Sequence, residues 1–250
     1  WANVVLVTES TRNDYKNASP ETEILETDVL AYLVWIPRYR YKLFNVNSKS
    51  ISPREIEIEF EDNKTLKLIG SSDDEWLTHP AFTFGTDELN GIWVGKFETT
   101  GNTTTPTVKP GNIAIHHINA YNQFITARKF NNEAVYGLTN QFDAHMMKNT
   151  EWGAVAYLSH SKYGKYGNSM YTGENKEIYA SKSSSSITGL SNGTPGTEVI
   201  NEQCLYSDTI DRGNGMGACG AGASTTGNIY GIYDMAGGAL ERVMGLIYNS

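Results

Sequence analysis

Hydrophobic and polar positions alternate most regularly over residues 55–61, where Ile56, Ile58 and Phe60 stand between Glu55, Glu57, Glu59 and Glu61. A period of two belongs to a half-buried strand. Asp62-Asn63-Lys64 then leads into Leu66-Lys67-Leu68, so a hairpin is predicted. Ala2 to Val7 and Ala31 to Phe44 also read as strands. In the second, Arg38, Arg40 and Lys42 fall on alternate positions after Pro37, which predicts one wet face. Gly91 to Glu98 is a further strand, and the Thr-rich, proline-punctuated stretch from Thr99 to Pro110 reads as an exposed loop.

Helical spacing occurs twice. Ile115, Ile118, Asn122 and Ile125 predict an amphipathic helix over 113–129. A second helix starts at Asn149 or Thr150 as N-cap, with Trp152, Val155, Ala156 and Ser159 on one side. From Tyr163 to Gly227 the chain reads as loop, with a serine run at Ser183 to Ser186 and a glycine-rich stretch from Gly213 to Gly222. Loops of that length are functional or mobile. Asn, Thr, Ser and Gly account for 89 of the 250 residues, which predicts short elements joined by side-chain-braced turns.

The charge balance, 20 basic against 28 acidic residues for a net −8, is ill suited to holding phosphates and excludes nucleic acid as a partner. No apolar run approaches the roughly 18 residues of a membrane span. Trp1-Ala2-Asn3-Val4 lacks the build of a signal peptide, and the absence of an initial Met suggests a processed chain or a piece of a longer one. The length suffices for one large domain or two small ones. Cys204 and Cys219 are the two cysteines, with fourteen residues between them. Oxidised, they would contribute about 3 kcal/mol in the chain-entropy model; reduced, they are two inert thiols. An extracellular setting would favour the pair.

The segment Gly227-Asn228-Ile229-Tyr230-Gly231-Ile232-Tyr233-Asp234-Met235-Ala236-Gly237-Gly238-Ala239-Leu240-Glu241 resembles the "N-x-[FY]-G-L-Y-D-M-x-G-N-x-W-E-W" signature of the formylglycine-generating-enzyme type of C-type-lectin fold, the sulfatase-modifying-factor-like group. Lys148 to Tyr157 resembles that family's "R-L-P-T-E-A-E-W-E-x-A" helix, and Ile92 to Glu98 its early "f-x-[IM]-x-k-y-E-V-T" strand. The likeness runs from about Trp76 to the end. It implies an α+β, loop-rich fold, incomplete at the C-terminus, over 76–250, with 1–75 as a β-rich segment packed on it or leading into it. Val34-Trp35-Ile36-Pro37-Arg38-Tyr39 and His145-Met146-Met147-Lys148-Asn149 are similar to gut-bacterial surface proteins of unassigned function that couple this domain to a prepilin-like helix, which would precede Trp1.

The departures shape the functional expectation. In the enzymes, strands beyond the signature carry a copper-binding cysteine pair; Cys204 and Cys219 precede it, and the chain given ends at Ser250. Gly238 replaces the usual Asn and Leu240 the usual Trp, while Glu241 remains. By resemblance this turn holds calcium through Glu241 and the carbonyls of Gly237 and Ala239, a donor set suited to a hard cation; otherwise Glu241 fastens the turn by hydrogen bonds alone.

Other motifs carry less. Gly215-Met216-Gly217-Ala218-Cys219-Gly220 fits G-x-G-x-x-G, but no strand precedes it, so it is not read as a dinucleotide site. His116 and His117, adjacent in sequence, would diverge on a strand or a helix and not share a metal. Trp76, Trp93 and Trp152 could line a ligand groove, but as a residue type that is highly buried on average they read first as core. The expectation is a non-enzymatic, extracellular or surface-bound adhesion domain that displays loops to a protein or glycan ligand. The alternatives are an oxidase of the formylglycine-generating type completed by cysteines outside this chain, and a phage or retroelement-diversified receptor-binding protein.

Overall fold

The computed structural model describes residues 2–42, 55–139, 141–164, 224–226, 230–235, 239 and 241–245. In chain order they form β1 (Asn3–Val7), α1 (Glu9–Lys16), β2 (Val29–Pro37), β3 (Tyr39–Lys42), β4 (Ile58–Phe60), β5 (Trp76–Thr78), β6 (Thr83–Phe84), β7 (Asp87–Glu88), β8 (Gly91–Gly95), β9 (Thr99–Gly101), β10 (Pro106–Val108), α2 (Ala120–Arg128), α3 (Glu133–Tyr136) and α4 (Asn149–Ser159). The fold is mixed α/β, with several small sheets and few helices. Among the described residues no helix is long and apolar enough to cross a membrane.

Strand β2, VLAYLVWIP, carries no charge, and its two faces differ: Val34 and Ile36 are fully buried, while Leu33 and Trp35 are half-buried. It is the centre of the largest sheet. On one edge it pairs antiparallel with β1, Asn3 opposite Val34. On the other it pairs antiparallel with β8, Trp35 opposite Trp93, and parallel with β10 at Val108 and Ala31. A second sheet has the order β4-β3-β5, and β6 and β7 form a short ribbon. Strands from either side of residue 75 therefore share both larger sheets.

Two apolar clusters of described residues fill the interior. The larger joins Val34, Ile36 and Val94 with Tyr39, Ile58, Phe82, Val155 and Leu158, and Ile232 and Met235 plug into it. The smaller, around Ala31, Phe97 and Val108, receives Tyr233. A Tyr-Gly-Ile-Tyr-Asp-Met stretch spaced by glycine thus inserts side chains into both clusters.

Several expectations need correcting. The strand drawn from Ala31 to Phe44 breaks after Pro37: Arg38 donates its N–H to Asn90 O at 2.7 Å and lies fully buried, so the wet face begins only at Arg40. Residues 62–65 do turn, braced by Asp62 Oδ1 accepting from the N–H groups of Lys64 and Thr65, but β4 pairs with β3 rather than with Leu66–Leu68. Phe60 is exposed, as is Leu66. Alternation reveals a strand without naming its partner. The stretch 99–110 holds the antiparallel pair β9 and β10, which meets where Gly101 takes φ 78°, a conformation open to glycine. Helix α2 starts only at Ala120, where Asn119 Oδ1 caps the N–H of Asn122. Helix α4 is capped by Lys148 instead of Asn149 or Thr150, with the Glu151 carboxylate accepting from Lys148 N–H at 2.7 Å.

Candidate functional site

Three segments far apart in sequence meet at the end of β8. Tyr233 donates its N–H to Lys96 O at 2.8 Å, Ala239 donates its N–H to Glu98 Oε1 at 2.8 Å, and Trp152 Nε1 on α4 donates to Glu241 Oε2 at 3.0 Å. The bridge between Lys148 and Met244 adds a fourth tie. The strand, the helix and the described residues of the glycine-rich segment that carry the resemblance are therefore in contact.

The electrostatics of this junction are those of gathered like charge. Glu98 is pushed up to about 9, by burial first and then by the negative charges of Asp234 and Glu241, against the pull of the Ala239 N–H. Asp234 is fully buried with φ 56°. Crowding by neighbouring atoms pushes the Glu241 carboxyl up to about 7, and the Trp152 N–H pulls it back. Glu241 as a residue is exposed, so water limits that push and Glu98 is the more strongly perturbed of the two. At neutral pH Glu98 holds a proton. A divalent cation would favour the ionised form of both groups.

Of the residues assigned to the turn, Glu241 and Ala239 are brought to this junction, while Gly237 lies outside the described residues, as do Cys204, Cys219 and the Gly215–Gly220 loop. Ala239 is seen using its N–H. Among the described residues no group of three or more His, Cys, Asp or Glu is arranged to hold a metal ion. Glu241 Oε2 is engaged by Trp152. Sequence reasoning missed Glu98 and Asp234 as members of this site, although both stand inside the motifs that carried the resemblance; an acidic residue ending an apolar strand was the available signal.

The His pair is a second correction. His116 and His117 do not diverge: their ring centroids are 4.5 Å apart and the two Nδ1 atoms face each other, because His117 takes φ 55° and belongs to neither a strand nor a helix.

The tryptophans divide. Trp152 packs partly buried against the main core. Trp76 lies on β5 under the guanidinium of Arg40, 5.3 Å from its ring. Trp93, at 40% exposure, is on the surface, paired with Trp35 at a centroid distance of 5.1 Å. Cross-strand partners share a face, so Trp35, Trp93 and the exposed Val4, which stands opposite Leu33, form one apolar face. Gly91 makes room for it: a Cβ there would come within 2.4 Å of the Trp35 ring. No protein-family model matches this chain, and no curated protein matches it.

Proposed function

We propose that the chain is a non-enzymatic binding or adhesion domain of a cell surface or pilus, built on a C-type-lectin-like scaffold of the formylglycine-generating type and directed at a protein or glycan ligand. The Trp35–Trp93 pair, in which Trp93 is exposed and Trp35 half-buried beneath it, carries this reading. Two rings stacked across neighbouring strands, that of Trp35 with space left for it by Gly91, present apolar surface that has already lost conformational freedom, and such rings anchor recognition surfaces. The scaffold half of the reading is supported by the contacts of Ala239, Glu241 and Tyr233 with the strand and the helix. Calcium, where bound, would be held by Glu241 with the carbonyls of Gly237 and Ala239, and would neutralise charge at the turn.

Flow cytometry of the labelled chain on cultured epithelial cells tests the binding function. Saturable binding is expected. It should weaken about tenfold or more in Trp93→Ala, the scale of a central aromatic anchor, and vanish after the cells are treated with glycosidase or trypsin, which separates the two ligand classes. Equal binding by wild type and Trp93→Ala would remove the aromatic face from the account, and an absence of saturable binding would overturn the adhesion reading. Calcium is checked by melting: the wild type should melt higher with added calcium by mass action, and Glu241→Gln should lose that response.

A further inference from the structure

Lys96 follows β8 and donates its backbone N–H to Tyr32 O on one edge of β2, whereas Asn3 opens β1 on the other edge, opposite Val34. The lysine side chain crosses the central strand, and its Nζ donates to Asn3 Oδ1 at 2.8 Å. The other end of that amide is also fixed, since Asn3 Nδ2 donates to Tyr230 O at 2.8 Å. Lys96 is 8% exposed, and among the described residues no carboxylate forms an ion pair with it. Burial lowers its pKa to about 8, so an appreciable share of molecules carries the free amine near neutral pH. Asn3 itself is exposed, which leaves a route to solvent for a small leaving group.

A primary amine held against a primary amide by hydrogen bonds at both of its ends is the reactant pair of a transamidation. We propose that Lys96 and Asn3 join in an intramolecular amide crosslink that ties β8 to β1 across β2. The free amine Nζ adds to Asn3 Cγ, the Cγ–Nδ2 bond breaks, and Nδ2 departs as ammonia with the proton that Nζ gives up. A lysine ammonium and a side-chain amide become a secondary amide and an ammonium ion, with no oxidation and no co-reactant. Fixed intramolecular geometry supplies the acceleration, since effective molarities of well-placed pairs reach about 10⁵–10⁸ M. The bond closes the chain between its first strand and the strand that carries Trp93, so it fastens the sheet bearing the exposed aromatic face without depending on what that face binds.

Intact-mass spectrometry of the full chain, before and after incubation at mildly alkaline pH, tests the crosslink. The wild type should be lighter than its sequence by one ammonia, in a fraction that grows with time at a pH above the Lys96 value. Digestion should yield a branched peptide joining the segments around Asn3 and Lys96. Lys96→Arg and Asn3→Ala should keep their sequence masses, and Asn3→Ala, altered at an exposed edge position, serves if Lys96→Arg fails to fold. Asn3→Asp, if it reacts, should lose one water in place of ammonia. A wild type that stays at its sequence mass while folded would overturn the proposal. So would an ammonia loss that persists in Asn3→Ala, which would mark cyclisation at another asparagine such as Asn192, before Gly193.

Discussion

Two clusters of described residues bury carboxylates in opposite ways. Around Arg38, two acids share one buried cation, and Lys67 adds a second at Glu88. Its Nε donates to Glu61 Oε1 at 2.9 Å and its Nη1 to Glu88 Oε2 at 2.5 Å, with Thr78 adding a hydrogen bond to Glu61 and Thr83 one to Glu88. Burial alone would raise Glu88, but Arg38, Thr83 and Lys67 outweigh it and hold it low. Around Glu98 the neighbours are Asp234 and Glu241, so the same burial is reinforced by like charge and Glu98 goes up. Burial sets the stakes, and the sign of the neighbour decides the outcome. The first cluster fastens β3, β4 and the β6–β7 ribbon at neutral pH; the second leaves the turn at 230–241 responsive to protons and cations.

The largest effect should come from opening the first cluster. Arg38→Met leaves the buried Glu61 without a cation and Glu88 with Lys67 alone at 3.5 Å, and a loss of about 3–5 kcal/mol is expected in urea unfolding at neutral pH. A loss under about 1 kcal/mol would mean that the acids find water instead. Arg38 Nη2 and Glu61 Oε2 are buried without hydrogen-bond partners among the described residues, so the intact triad adds less than its removal costs.

The second cluster should respond with the opposite sign. A carboxyl raised from 4.5 to about 9 holds in the folded state a proton that the unfolded chain gives up. Its contribution is therefore most favourable below the ordinary value and is lost as pH rises toward 9. Glu98→Gln keeps an acceptor for the Ala239 N–H and removes the charge. It should stabilise the protein by about 3 kcal/mol at pH 7 and by nothing near pH 4. A Gln variant less stable than wild type at pH 7 would show that Glu98 is ionised and paired.

A mixed case lies between the two and predicts the smallest effect. His145 Nε2 sits 3.1 Å from both Glu151 oxygens, and that hydrogen bond, with the Glu151 charge, raises the histidine. Burial would raise Glu151, but His145 and Lys148 pull it below its usual value. The histidine term is fully present below about 6.5 and fades as pH climbs through its raised value; the glutamate term is lost as pH falls through its lowered one. Stability of α4 should therefore be greatest between them. His145→Gln should cost about 1 kcal/mol near pH 6 and less near pH 8, read by thermal melting.

The two clusters also differ in how far the sequence announces them. β1, β8 and α4 were legible because an apolar period fixes an element wherever its partner lies. Arg38 was not, because it alternates with Arg40 and Lys42 as a solvated row would, and its acids come from positions 61 and 88, which only the pairing of β3 with β4 and the β6–β7 ribbon bring together. Tyr-Gly-Ile-Tyr-Asp-Met could be read as a segment burying side chains on more than one side, and Ile232, Tyr233 and Met235 are buried. That Glu98 completes the junction required the fold, since 141 residues separate it from Ala239. Trp93 was assigned to the core on the habit of its residue type; a place on β8, which among the described residues pairs with β2 alone, outweighs habit.

The contrast between paired and gathered carboxylates rests most directly on the protonation of Glu98. Following the side-chain carboxyl carbon by NMR in ¹³C-glutamate-labelled protein, assigned with Glu98→Gln, gives its titration. A midpoint near 9 that falls when calcium is added is the result this account predicts. A midpoint near the ordinary 4.5, unmoved by Asp234→Asn or Glu241→Gln, would contradict it.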